Sequence, residues 1–267
     1  MHRIWTTSAA RSRSSPSATS SRSAAEGDEL EFWQSLARTP VDQLVPVAEL
    51  AEDLGFAGLT MSDHLVRPET LASSYPYAAA GQMATDGSTP YLDPWILIAH
   101  LARATRRVRF MPAVYIPALR DPFTVAKAVS TAAILSNDRV LLGIGVGWME
   151  EEFALVERDF RRRGRRTDEM LEVVRKLFSG AMVEHHGEFY DFEPVQMAPA
   201  PPRCPRILVG GHSPSALARA AAADGWIGVN YELEAVLPIL ASLRAMRRSL
   251  GRAQLPFEAA LALNAPP

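Results

Sequence analysis

Apolar and polar positions alternate along this chain in a repeating unit. A short apolar or β-branched run gives way to a polar loop and then to apolar residues at helical spacing. Leu30–Ala37 is the first strand expected. Thr39-Pro40 reads as an N-cap followed by a first-turn proline, and Leu44, Val47, Ala48, Leu50, Ala51 and Leu54 then fall at helical spacing, with Gly55 as the stop. Further strands are expected at Gly58–Met61, Val108–Val114, Val140–Ile144, Ile207–Val209, Trp226–Val229 and Phe257–Leu263. Helices are expected from Asp93-Pro94 to Thr105, from Asp121-Pro122 to Leu135, over Glu150–Val156 and Thr167–Phe178, from Ser213-Pro214 to Ala223, and over Leu233–Leu250. Residues 183–192 read as a hairpin insertion, and the long polar, aromatic stretch from Arg67 to Tyr91 as a functional loop.

Regular β–α alternation predicts a parallel sheet covered by helices, either a closed barrel or an open doubly wound sheet. Seven strand-helix units lean toward the barrel, which needs eight strands. The shortfall leaves three readings: the hairpin substitutes for a strand, the natural chain is longer, or this product is truncated.

Composition adjusts the picture little. The chain has 267 residues, 48% hydrophobic and 22% charged, enough for one large core. A net charge of −2 gives no sign of a nucleic-acid or membrane partner. The lone Cys204 cannot form an internal disulfide and suits a reducing, cytoplasmic setting. Residues 1–25 hold eight Ser, five Ala and four Arg with no acidic residue. Residues 1–28 therefore read as a disordered extension, either inconsequential or a transit peptide, and 29–267 as the folded domain.

Three strand ends carry candidate chemistry. Ser62-Asp63-His64 follows the second strand. Histidine titrates near neutrality and suits proton transfer, and Asp63 could orient it or touch a cofactor; a plain loop pair is the rival reading. Gly143 to Gly147 lacks the third glycine of a dinucleotide fingerprint, since Trp148 stands there. Gly145 and Gly147 then permit either approach of a flat ring or tight packing. Gly210, Gly211, His212 and Ser213 precede a helix start, where free N–H groups suit an anion such as a cofactor phosphate. The adjacent His185 and His186 would face opposite sides of a strand and converge poorly on a metal, so no metal site is expected. His100 reads as structural, and Arg161–Arg166 as a solvated basic face with one arginine able to reach a phosphate.

Residues 30–265 resemble the luciferase-like monooxygenase superfamily, especially its deazaflavin-dependent actinobacterial branch. The resemblance rests on LGFAGLTMSDH (54–64), LRDPFTVAK (119–127), GIGVGWMEEEF (143–153), RGRRTDE (163–169), and Ile207–Pro214 with Asp224-Gly225-Trp226. It implies a (β/α)8 TIM barrel, here apparently without its last strand-helix unit. It implies a flavoprotein-type oxidoreductase or monooxygenase with a small-molecule substrate and a homodimeric state. The cofactor implied is coenzyme F-420 (a 5-deazaflavin), with FMN as the alternative. Asp63 and His64 would lie at the ring with His64 moving a proton. Ala113 and Val114 would carry a cis peptide against the ring face, and Gly210, Gly211, His212 and Ser213 would hold the phosphate. Gly145, Gly147 and Trp148 would line the ring or the substrate, with Pro68–Tyr91 as a lid. Some deazaflavin-dependent dehydrogenases carry Glu where Trp148 stands, which argues against their sugar-phosphate substrate. A non-catalytic barrel that binds flavin or only a partner subunit is the alternative to an enzyme.

Overall fold

In the computed structural model, which describes residues 30–77, 81 and 87–263, the expected alternation becomes parallel strands joined through helices. The chain divides at Glu31, and the unit Phe32–Pro267 carries every element below. The extension over 1–28 and the lid positions 78–80 and 82–86 lie outside the described residues. Strands β1 (Trp33–Ser35), β2 (Gly58–Met61) and β3 (Arg109–Pro112) form one parallel sheet in that order. Strands β4 (Leu142–Ile144), β7 (Ile207–Gly210), β8 (Gly225–Tyr231) and β9 (Glu258–Leu263) form another. Parallel bridges at Phe110–Val140 and Tyr115–Ile144 join β3 to β4.

Seven parallel strands thus lie side by side in chain order. A doubly wound sheet reverses its order at a switch point, whereas a (β/α) barrel does not. The strand order is that of a (β/α) barrel with seven strands, and no ladder joins β1 to β9 among the described residues. Among the described residues, strands β5 (Met182–His186) and β6 (Asp191–Gln196) pair only with each other, so the hairpin does not substitute for an eighth strand.

Alternation along the strands splits the core into two faces. Phe110, Leu142, Ile207, Val209 and Trp226 pack against the helices, while Met111, Leu141, Leu208 and Ile227 form a separate cluster with Trp33 and Val114. The covering helices are α1 (Leu44–Asp53), α2 (Pro94–Ala104), α3 (Pro122–Leu135), α4 (Glu150–Leu155), α5 (Arg163–Phe178), α6 (Pro214–Ala222) and α7 (Leu233–Ser249). None of the described helices is long and apolar enough to cross a membrane.

Three of the four cap-proline pairs form as expected. Asp93 accepts from Trp95 and Ile96 N–H, Asp121 from Thr124 N–H, and Ser213 from Ala216 N–H, each with proline in the first turn. The Thr39-Pro40 pair does not. Pro40 is extended (ψ 143°), a 3-10 turn follows, and α1 begins at Leu44 without a side-chain cap. Pro46 then falls in the first turn, where its missing N–H has no helical partner to lose. Four strands are shorter than expected, β4 by Val140 and Leu141 and β9 by Phe257. The first strand keeps only Trp33–Ser35, and β3 stops at Pro112, although the Ala113 N–H still donates to the Met61 carbonyl at 2.8 Å. Helix α5 begins earlier than expected, because Arg163 fastens its start to the Gly147 and Phe160 carbonyls.

At the other ends of the strands Arg139 is buried. Its guanidinium donates to the carbonyls of Ser136, Val108, Ala102 and Thr105 and to Thr105 Oγ1 at 2.7–3.2 Å. It therefore joins the ends of α2 and α3 to the start of β3. An Arg139→Met variant leaves these acceptors buried and unpaired, and we expect a loss of about 3 kcal/mol or more in urea unfolding.

Candidate active site

Beyond β2 the chain passes through Ser62 to Asp63 and His64, and the two acidic and imidazole groups take different partners. Asp63 is 3% exposed. Arg120 grips it with two parallel hydrogen bonds, Nη1 to Oδ2 and Nη2 to Oδ1, both 2.7 Å. The Ile116 N–H donates to Oδ2 at 2.9 Å. Arg120 also donates to the Ile116 carbonyl and lies 4.3 Å from the Tyr115 ring centroid. Burial pushes the Asp63 carboxyl up, against the opposing pull of Arg120 and the Ile116 N–H. Burial works to lower the Arg120 guanidinium, but the Asp63 hydrogen bonds and charge outweigh it and hold it above its ordinary value. Burial also raises the Tyr115 hydroxyl.

His64 faces a different carboxylate. Its Nδ1 lies 3.0 Å from Glu152 Oε2, with the two side chains only 9% and 1% exposed. Glu152 Oε1 accepts the Leu65 N–H at 2.6 Å and, at the long limit of 3.5 Å, the Val66 N–H. The edges of Tyr91 and Trp148 meet the imidazole at centroid distances of 4.9 and 6.0 Å. From Trp148 an arc of edge-to-face rings continues through Tyr75 and Tyr77 to His212. The arc crosses from the end of β2 to the end of β7.

The peptide between Ala113 and Val114 is cis. The Val114 side chain fills the space that two glycines leave open: a Cβ on Gly145 would stand 2.4 Å, and one on Gly210 2.7 Å, from its methyl groups. At Gly147 the space is instead taken by Phe153 and Ile116. Gly211 has φ +119°, and its carbonyl accepts the Trp226 indole N–H at 2.8 Å. Ser213 caps α6, and the N–H groups of His212, Ser213 and Ser215 have no acceptor among the described residues. The enclosed space nearest Ser62, between Leu36, Met61 and Tyr91, is about 30 Å³, room for one water.

The structure thus brings His64, Trp148 and His212 into one arc, and Val114, Gly145 and Gly210 into one contact. It separates Asp63 from the imidazole. His185 and His186 point apart: His185 is buried against Lys176 and Glu169, and His186 is exposed beside Asp191. His100 is exposed on α2 rather than packed. The basic run is largely occupied, with Arg162 and Arg165 on Glu188 and Arg163 on Gly147.

Sequence reasoning missed Glu152, Arg120 and Glu151. Glu151 accepts from the Ala72 and Ser73 N–H groups and from Ser73 Oγ at 2.7–3.0 Å, tying the stretch after β2 to α4. Its slight burial works to raise it, but these hydrogen bonds outweigh that and hold it below the ordinary carboxylate range. Burial raises the Tyr75 and Tyr77 hydroxyls. The available signal for Glu152 was its place beside Phe153 on the inner face of a helix. For Arg120 it was a position immediately before a helix cap.

The sequence pattern of luciferase-like monooxygenases matches residues 12–265. The chain belongs to this family. Among luciferase-like relatives, an uncharacterized Mycobacterium tuberculosis protein is 36% identical over 229 residues, covering 86% of this chain and 79% of its own. A Mycobacterium tuberculosis F420-dependent hydroxymycolic acid dehydrogenase is 29% identical over 215 residues; the match covers 79% of this chain and 55% of that protein. A monooxygenase from Streptomyces bottropensis superposes with a TM-score of 0.72 at 25% identity, covering 88% of this chain and 70% of its own.

Two outcomes follow from the site's charges. An Arg120→Met variant leaves Asp63 buried without its cation, and we expect a loss of about 3–5 kcal/mol by denaturant unfolding. Adding Asp63→Asn should recover part of it; strictly additive losses would show that the two groups are not coupled. The Glu151 tether, with its carboxyl depressed, is fully present above the ordinary value of 4.5 and is lost as pH falls through the lower folded value. Amide protection at Ala72 and Ser73, measured by hydrogen exchange, should fall on acidification in that window and be low and flat in Glu151→Gln.

Proposed function

We propose that this chain is a flavin- or deazaflavin-dependent oxidoreductase, with coenzyme F-420 as its cofactor and a small organic molecule as substrate. The observation that carries the reading is a buried Glu152 holding His64 at the strand ends, where barrel enzymes do their chemistry. The named activity of the hydroxymycolic acid dehydrogenase supports the deazaflavin over other cofactors. The residues present fit such a group: at the start of α6 the N–H groups of His212, Ser213 and Ser215, which have no acceptor among the described residues, suit its phosphate. FMN carries a phosphate on the same kind of polyol chain, so the same cradle suits it as the alternative.

When bound, the cofactor ring accepts or donates a hydride. His64 holds the coupled proton, taking it from the substrate as hydride leaves and returning it in the reverse direction. Asp63 and Arg120 fix the backbone beneath it. Tyr75, Tyr91 and Trp148 exclude water and favour a substrate without ionised groups, in keeping with an indole where other dehydrogenases place a carboxylate.

The test is titration of the purified full chain with F-420 and with FMN, followed by fluorescence, and turnover on secondary alcohols and their ketones. Tight binding of F-420 is expected. His64→Ala should change its affinity little and lower kcat about 10²–10⁴-fold. Binding of neither cofactor would sink the proposal and leave a non-catalytic barrel.

A further inference from the structure

We infer that Glu152 is a positioning residue that holds neutral His64 in the Nδ1–H tautomer, so that Nε2 is the nitrogen that exchanges protons with substrate. The assignment rests on the role proposed above for His64, and its evidence is the pairing itself.

Each oxygen of Glu152 has a defined partner. Oε1 accepts the Leu65 backbone N–H, which can only donate, at 2.6 Å. Oε2 stands 3.0 Å from His64 Nδ1. An ionised carboxylate only accepts hydrogen bonds. A hydrogen bond to it therefore requires a proton on Nδ1, which leaves the lone pair of neutral imidazole on Nε2. Among the described residues the ring has no other side-chain hydrogen bond. A free imidazole could swap tautomers or flip its ring, but the edges of Tyr91 and Trp148 on the ring oppose that.

The charges nearby support the same arrangement. The Asp63 carboxylate is already matched by Arg120. Among the described residues, His64 is a cationic partner against Glu152 when protonated, through Nδ1. When Nε2 takes a proton, the imidazolium formed lies against this buried carboxylate and is stabilised by it. The proton moves from the substrate to Nε2 while Nδ1–H stays on Glu152, so the carboxylate is never itself protonated. A carboxylate that sets tautomer and steadies imidazolium is the logic of the catalytic triads.

The contacts to Leu65 also give Glu152 a structural role, and the test separates the two. In Glu152→Gln the amide oxygen can still accept from Leu65, which leaves the NH2 facing Nδ1. That inverts the tautomer to Nε2–H while keeping the loop in place. The measurement is ring 15N NMR of the histidine-labelled full chain, with no cofactor added, at a pH where His64 is neutral. His64→Asn identifies the signal among the six histidines. We expect a pyrrole-type Nδ1 and a pyridine-type Nε2 in the native chain, and the reverse in Glu152→Gln. With cofactor present, kcat should fall about 100-fold while KM stays within about threefold. An Nε2–H tautomer in the native chain overturns the inference, as does an unchanged tautomer in a folded Glu152→Gln. Should that variant not fold, the native tautomer alone decides. An Nδ1–H native chain that binds neither cofactor would defeat the proposed function and leave the tautomer assignment standing.

Discussion

The bidentate pair between Asp63 and Arg120 sets the geometry on which the site depends. One carboxylate takes two hydrogen bonds from the guanidinium and a third from the Ile116 N–H. It thereby ties the end of β2 to the turn that follows β3. Both groups are buried, and a buried ion pair behaves as a unit: losing one partner strands a charge where water cannot reach it. His64 is the next residue after Asp63, and Val114 lies two residues before Ile116. The pair therefore holds in register the backbone under the imidazole and the backbone that carries Val114. What the ion pair secures is position, which is what proton transfer and ring contact both require.

Asp63 and His64 look like a dyad in the sequence, and the sequence reading allowed that one orients the other. Chain neighbours just past a strand project in different directions. Here that sends Asp63 inward to Arg120 and His64 toward Glu152, 88 residues along the chain. No local pattern reports a partner that far away. The three glutamates at 150–152 instead read locally as acidic residues that complement a helix N-terminus. Tertiary packing separates them, leaving Glu150 exposed, Glu151 on the loop and Glu152 on the imidazole.

What was legible had local physical causes. Asp93, Asp121 and Ser213 each cap a helix because a short polar side chain reaches the orphan N–H groups that proline leaves, and that signal lies within four residues. Thr39-Pro40 shows its limit: the same pair yields an extended proline where Pro46 allows the helix to start later. The glycines were legible as points of close approach but not as to what approaches. Val114 fills the space at Gly145 and Gly210, whereas Phe153 fills it at Gly147, so one glycine-rich strand end serves two different contacts.

Helix α4 unites the rest. It is six residues long, too short to be stable by itself. Successive glutamates on it reach in different directions, Glu151 to the loop after β2 and Glu152 to His64. The loop carries Tyr75, whose ring rests on Trp148, and Trp148 in turn lies against His64. Apolar rings lower the local dielectric, which strengthens the hydrogen bond between Glu152 and the imidazole and raises the penalty for breaking it. The same short helix thus holds both the cover and the group beneath it. A displacement of α4 that freed the loop would also draw the carboxylate from His64, so that proton-transfer geometry and closure of the site rest on one element.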